Sequence, residues 1–141
     1  MRISARNILG GTVSKVTKGA VNSEVELALQ GGDKVVAIIT NESVVHLGLK
    51  EGMRAHAILK ASWVIVGKEL DANKISARNV LRGTVAKVHG GAVNDEVVLK
   101  LAGGGELMAI ITQESSHSLG LKEGDEACAA FKANSVIIAV D

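Results

Sequence analysis

Hydrogen-bond donors recur at matching positions in the two halves of this 141-residue chain. Six side chains have an identical counterpart 72 positions later: Ser4, Arg6, Asn7, Thr40, Ser43 and Lys60 correspond to Ser76, Arg78, Asn79, Thr112, Ser115 and Lys132. Arg offers a planar fork of N–H groups, Lys a point charge, and hydroxyls rotate to suit an acceptor. Such groups can surround a deprotonated oxyanion, which offers only acceptors. The pattern therefore indicates an anion-binding site.

The same donors also have a purely structural interpretation. Thr40 could only cap a helix, Asn7 could only brace a turn, and Lys60 could only be a solvated strand end. A helix start at Thr40 to Ser43 would also present free backbone N–H groups to an anion. The donors alone leave both interpretations open.

The donors belong to a duplicated unit. Residues 3–67 align without a gap onto residues 75–139, and about 39 of about 65 aligned positions are identical, which is the signature of a repeated structural unit. The repeat predicts two domains, at 1–67 and 75–141, joined by a linker at 68–74. Because domains of this size are only marginally stable alone, each half is expected to need its sibling or a partner chain.

Period-two hydrophobic patterns predict the elements that position these donors. Each repeat has five segments typical of strands, and in the first repeat these are 7–19, 23–30, 34–40, 53–60 and 62–67. Between the third and fourth, Thr40 and Gly48 are typical of the start and end of a short helix. The predicted fold is all-β: two tandem five-stranded Greek-key barrels of the oligonucleotide/oligosaccharide-binding (OB) type, each with a short helix between strands 3 and 4.

Composition argues against several classes of protein. The formal net charge is +1, and one Trp, one Phe and no Tyr leave little for stacking on bases, so nucleic-acid binding is not expected. No apolar run is long enough to span a membrane, and the N-terminus lacks a secretion signal. Cys128 is the only cysteine, so no intramolecular disulfide and no Cys-based metal site can form, and a buried structural thiol is expected. A cytoplasmic protein without nucleic-acid or membrane partners is predicted.

No catalytic or metal-ligating arrangement recurs in both repeats. The histidines at 46, 56, 89 and 117 have no counterpart in the other copy, and no Cys/His spacing fits zinc. The acids retained in both copies are interpreted as solvated strand, helix-start and turn residues: Glu24 with Glu96, Glu42 with Glu114, and Glu51 with Glu123. The chain is therefore predicted not to be an enzyme.

The sequence motifs that both repeats retain resemble those of the Mop domain of the molbindins. They are spread over nearly all of each repeat and read SARN, GTV, GAVN, AIIT, LGLKEG and KA. Two such domains in tandem are similar to a di-Mop molbindin. The resemblance implies a cytoplasmic homotrimer that binds molybdate, with tungstate as an analogue, in shallow sites between Mop domains. It implies no cofactor and no direct protein–metal coordination, and its expected role is molybdenum storage or homeostasis.

The resemblance also implies the site residues. One site would combine a segment of one domain with segments of its neighbour: Ser4, Ala5, Arg6 and Asn7 with Thr40, Ser43, Lys60, Ala61 and Ser62. The second repeat would supply Ser76, Ala77, Arg78 and Asn79 with Thr112, Ser115, Lys132, Ala133 and Asn134. A second type of site near a threefold axis would use the GAVN segments: Gly19, Ala20, Val21 and Asn22, and Gly91, Ala92, Val93 and Asn94.

One position departs from the family pattern. The first repeat has Ser62 after Lys-Ala, whereas the second has Asn134. The binding free energies of the two classes of site are therefore expected to differ by about 0.5 to 1.5 kcal/mol, the value of one neutral hydrogen bond.

Two alternative functions stay open. One is a structural or regulatory oligomerisation module that binds anions incidentally, and the other is a protein that binds a molybdenum–pterin, which would need a larger pocket.

Overall fold

The computed structural model describes all 141 residues. The first repeat contributes β1 (Asn7–Lys18), β2 (Asn22–Leu29), β3 (Lys34–Thr40), α1 (Asn41–Leu47), β4 (Arg54–Leu59) and β5 (Ile65–Gly67). The second contributes β6 (Asn79–Gly90), β7 (Asn94–Leu101), β8 (Glu106–Thr112), α2 (Gln113–Leu119), β9 (Glu126–Phe131) and β10 (Ile137–Ala139). Short 3₁₀ helices lie at Ala61–Trp63, Ala72–Lys74 and Ala133–Ser135. The predicted five strands and one short helix per repeat are confirmed.

The strands form two antiparallel five-stranded sheets that exchange their last strands. One sheet has the order β10-β4-β1-β2-β3, and the other has the order β5-β9-β6-β7-β8. In the first sheet Ile138 of the second repeat lies opposite Ala57, and in the second Val66 of the first repeat lies opposite Ala129. The all-β fold class of two tandem OB-like barrels is confirmed, but neither barrel consists of one continuous repeat.

The exchange has a local cause in the chain between β4 and β5. The 3₁₀ helix at Ala61–Trp63 redirects the chain after Leu59, so that β5 lies on the edge of β9 in the other sheet. Residues 68–78, which include the 3₁₀ helix at Ala72–Lys74, then lead into β6. The division into folding units at 1–67 and 75–141 stays a prediction, because the exchange makes each sheet depend on both repeats.

A single hydrophobic cluster runs through both repeats. It contains strand residues that alternate with exposed positions, as in β2, where Val25 and Leu27 are buried. Phe131 is the largest fully buried side chain, and the rest of the cluster is mainly Val, Leu, Ala and Ile. Because the exchanged residues Val66 and Ile138 belong to this cluster, the two sheets are held together by shared apolar packing as well as by backbone hydrogen bonds.

Glycines allow the closest approach of β1 to β2 and of β6 to β7. A Cβ atom on Gly11 would lie 2.7 Å from the Ala28 carbonyl oxygen, and one on Gly83 would lie 2.6 Å from that of Lys100. Both glycines precede an irregularity in strand register, the first between Val13 and Lys15. Only a residue without a Cβ fits at these two positions.

The helices are short, and none has the length and apolar character needed to cross a membrane.

Candidate functional site

The asparagines of the two SARN segments, residues 4–7 and 76–79, join the repeats. Asn7 Nδ2 donates to the Met108 carbonyl and its Oδ1 accepts from the Met108 N–H, both at 2.8 Å. Asn79 makes the same pair of 2.8 Å bonds with Val36. Each Asn is 2% exposed, and each covers the free edge of a strand in the other repeat. This structural role accounts for both asparagines without a ligand.

The arginines of the SARN segments also reach across to the other repeat. Arg6 Nη2 lies 2.8 Å from Glu96 Oε2, and Arg78 holds Glu24 with two contacts, Nη1–Oε1 at 2.6 Å and Nη2–Oε2 at 3.3 Å. The hydrogen bond from Arg78, aided by its charge, lowers the pKa of the Glu24 carboxyl, and the same bond raises the pKa of Arg78. All four side chains remain partly exposed.

These two glutamates were interpreted from the sequence as solvated strand residues; both do lie on strands and remain partly exposed, but their pairing with arginines was not predicted. Glu24 lies on β2 and Glu96 on β7, and each side chain binds the arginine of the opposite repeat. The available signal was their retention in both copies together with the arginines. Sequence alone could not pair them, because the partners are 54 and 90 positions apart.

The lysines that follow β4 and β9 lie beside the SARN segment of their own repeat. Asn7 pairs with Leu59 in the β1–β4 ladder, and Lys60 comes directly after Leu59. Asn79 pairs in the same way with Phe131, next to Lys132. The SARN and Lys-Ala segments of one repeat therefore share a sheet end within the chain, and the expected combination of segments from neighbouring domains in one site stays a prediction.

The 3₁₀ helices after these lysines differ in their side chains. Ala61 and Ala133 are buried, whereas Ser62 and Asn134 are exposed. The first 3₁₀ helix packs near β8, and the one at Ala133–Ser135 packs near β3. Lys60 lies 5.7 Å from the centre of the Trp63 ring, a cation–π contact that has no counterpart beside Lys132, where Ser135 replaces the tryptophan.

The helix-start hydroxyls are engaged in caps. Thr40 Oγ1 accepts from the Ser43 backbone N–H at 3.0 Å and donates to Ser43 Oγ at 2.8 Å. Thr112 and Ser115 repeat both distances. Thr40 and Thr112 are exposed at the ends of the edge strands β3 and β8. The capping interpretation is therefore confirmed, and it leaves the hydroxyl oxygens at the surface.

The GAVN segments form tight turns before β2 and β7. Gly19 N–H donates to the Asn22 carbonyl at 2.9 Å, and a Cβ on Gly19 would lie 2.6 Å from that oxygen. Asn41 at the start of α1 holds the turn through its side chain to the Gly19 carbonyl and its backbone N–H to the Val21 carbonyl, both at 2.9 Å. Turn geometry thus explains why both repeats retain the GAVN segment. A second type of ligand site at these turns stays a prediction.

The structure therefore brings some predicted site residues together and leaves others apart. In each half, three segments converge: the SARN segment and the lysine with its 3₁₀ helix from one repeat, and an edge strand from the other repeat. The Thr caps lie at the far ends of those edge strands. No group of three or more His, Cys, Asp or Glu side chains is arranged to hold a metal ion.

The chain belongs to the TOBE domain family, whose model matches it twice, at residues 3–66 and 75–138. The predicted tandem Mop-type architecture is thereby confirmed.

Three related proteins illustrate the similarity. The crystal structure of the cytoplasmic molybdate-binding protein ModG, with molybdate bound, superposes with a TM-score of 0.96 at 47% identity and covers 100% of both chains. The molybdenum-pterin-binding protein MopA of Rhodobacter capsulatus is 46% identical over 99% of this chain and 53% of its own length. The molybdenum transport protein ModE of Azotobacter vinelandii is 40% identical over 99% of this chain and 52% of its own. The chain spans about half the length of these two curated relatives.

Proposed function

We propose that the protein binds molybdate, and tungstate in the same way, without catalysing a reaction. The observation that carries the proposal is the full-length similarity to ModG, a molybdate-binding protein. Each half of the present chain also brings an arginine and a lysine to one sheet end beside an edge strand of the other repeat. Cationic and hydroxyl donors suit a dianion that has only acceptor oxygens.

The residues proposed to contact molybdate are those of the converging segments. Arg6, Lys60 and Ser62 would serve one class of site, and Arg78, Lys132 and Asn134 the other. The side chains of Asn7 and Asn79 would act by holding the edge strands, because their amides are bound to backbone groups. Thr40, Ser43, Thr112 and Ser115 remain candidates from a neighbouring chain, since Thr40 and Thr112 are exposed at the ends of β3 and β8 and each serine lies in the first turn of the helix that follows.

Assembly as a homotrimer is proposed to complete the sites, and exposed apolar rows support it. Ile8, Ile58 and Ile137 are cross-strand neighbours on one face of a sheet, and Ile8 and Ile137 are 40% and 51% exposed. In the other sheet Ile65 occupies the equivalent strand position opposite Ala130 and is 56% exposed, and Trp63 is 42% exposed. Such rows are normally covered by a partner. Ligands supplied by two chains would make molybdate stabilise the oligomer by mass action.

A cytoplasmic role in molybdenum storage or homeostasis is proposed, without a nucleic-acid partner. The balanced charge of +1 gives no general attraction for a phosphate backbone. A pterin-linked ligand is less well supported than the free oxyanion. A cavity of about 930 Å³ lies at the linker and is lined by residues such as Lys68, Arg82 and Asp125, none of which is a predicted donor.

Isothermal titration of anion-free protein with molybdate, then sulfate and phosphate, tests the proposal, with light scattering on the same sample. Binding at more than one equivalent per chain, on a trimer and with weak phosphate competition, is expected, because phosphate near neutral pH carries a proton that a donor-only site cannot accept. Lys60→Ala and Lys132→Ala serve as matched variants, each expected to weaken one class of site and spare the other. Absence of binding heat and of thermal stabilisation by molybdate would refute the function.

A further inference from the structure

Each arginine of the proposed site is occupied by a carboxylate. The Arg6–Glu96 and Arg78–Glu24 contacts are made in both halves of the molecule, and each crosses from one repeat to the other. The Arg78 contact uses two nitrogens and both carboxylate oxygens. That is the fork geometry with which a guanidinium also binds oxyanions.

The exposure of these pairs makes exchange with a ligand feasible. The arginine side chains are 48% and 50% exposed, and those of Glu96 and Glu24 are 26% and 42% exposed. Ion pairs exposed to this extent contribute little, because solvent screens them. A tetrahedral dianion brings more charge than one carboxylate and can be held by Lys60 or Lys132 at the same time, so it can displace the glutamate.

From this geometry we propose that Glu24 and Glu96 are internal competitors that occupy the arginines in the ligand-free protein and lower the affinity for the oxyanion. The proposal rests on the proposed function. When molybdate binds, each guanidinium exchanges its carboxylate for ligand oxygens, and the glutamate returns to solvent. The two glutamates thereby set how much free molybdate is needed to fill the sites.

The alternative role for the glutamates is to position the arginines, and it predicts the opposite effect of substitution. A glutamine keeps the shape and one acceptor oxygen but removes the charge, so it competes less well for the guanidinium while still orienting it. If Glu24 and Glu96 compete, Glu→Gln strengthens molybdate binding. If they only position the arginines, the same change leaves binding unchanged or weakens it.

The experiment is a molybdate titration by calorimetry of the full-length wild type and of the E24Q/E96Q variant. We expect the variant to bind about two- to fivefold more tightly, since an exposed pair of this kind has a modest free energy to lose. The matched control is E51Q/E123Q, which removes the same charge from both repeats at exposed turn positions that make no ion pair. The control is expected to bind as the wild type does.

A second variant and a crystal structure test the proposal even if E24Q/E96Q does not fold correctly. E24D/E96D keeps the charge but withdraws each carboxylate by one methylene, so it should also bind more tightly. A crystal structure of the wild type with molybdate should show the Arg6–Glu96 and Arg78–Glu24 contacts broken. Unchanged or weaker binding by folded E24Q/E96Q, with a wild type that binds, overturns the competitor role alone. A wild type that binds no molybdate overturns the proposed function, and the competitor role falls with it.

Discussion

Truncating Asn79 should be one of the most damaging polar substitutions in this protein. Its side chain makes two 2.8 Å hydrogen bonds, to the N–H and to the carbonyl of Val36, on the edge of β3 that faces away from β2. The side chain is 2% exposed. Asn79→Ala removes both bonds and leaves the N–H and the carbonyl of Val36 without a partner. Val36 is half-buried.

The expected loss follows from those two groups. A buried donor or acceptor left without a partner costs about 1 to 3 kcal/mol, and water can reach part of Val36, so we expect a decrease of about 2 to 4 kcal/mol in the free energy of unfolding. Asn7→Ala should behave alike, because Met108 holds the same geometry. The two sites share no partner, so the double variant should lose about the sum.

Urea unfolding followed by circular dichroism, at one fixed protein concentration, measures this loss. Asn73→Ala in the exposed linker is the control and should change the free energy of unfolding by less than about 0.5 kcal/mol. Asn79→Asp keeps the shape but turns a carboxylate oxygen towards the Val36 carbonyl, so it should destabilise as well. A loss below about 1 kcal/mol for Asn79→Ala would refute the reasoning, because the two bonds would then contribute no more than one ordinary net bond.

Three further outcomes are expected. Thr40→Val removes the cap on the Ser43 N–H and should lower the melting temperature, with a loss of about 1 kcal/mol; an unchanged melting temperature would contradict the cap. Gly83→Ala should destabilise the fold, because its Cβ would lie 2.6 Å from a backbone carbonyl, and Gly105→Ala, at an exposed position before β8 where the nearest atom to a Cβ is 4.0 Å away, serves as the comparison. Because the hydrogen bond from Arg78 lowers the pKa of Glu24, the stability that this pair contributes is present above the unfolded pKa and is lost as the pH falls through the folded one. The difference in free energy of unfolding between wild type and Glu24→Gln should therefore begin to shrink as the pH falls below about 4 and vanish once the pH lies below the lowered folded pKa, and a difference that does not change with pH in urea titrations would contradict this assignment.

Much of the secondary structure was available from local sequence. The strand pattern of β1 to β4 follows from side chains that alternate between core and solvent, and α1 from a Thr cap and a Gly that adopts a left-handed conformation. The predicted last strand at 62–67 is shorter, because residues 61–63 form a 3₁₀ helix. A three-residue 3₁₀ helix has no periodicity that a sequence pattern could reveal.

The candidate site was predicted as a set of residues divided between neighbouring domains, and that division stays a prediction. Retention in both repeats selected Arg6, Lys60 and their counterparts, and the structure brings them to one sheet end. Their pairing with glutamates of the opposite repeat was missed. Contacts between residues 54 and 90 positions apart depend on how the repeats pack together, and no local pattern encodes that packing.

The sequence by itself determined the duplication, the all-β class and the donors that both copies retain, because these depend on local periodicity and residue chemistry. Only the tertiary structure decided that β5 and β10 exchange sheets, that Asn7 and Asn79 fasten the edge strands, and that each arginine is already held by a carboxylate. The physical reason is that β4 and β9 offer equivalent edges to strands of similar pattern, Ile65–Gly67 and Ile137–Ala139. Which edge is used depends on the path of the chain and on burial shared by both repeats.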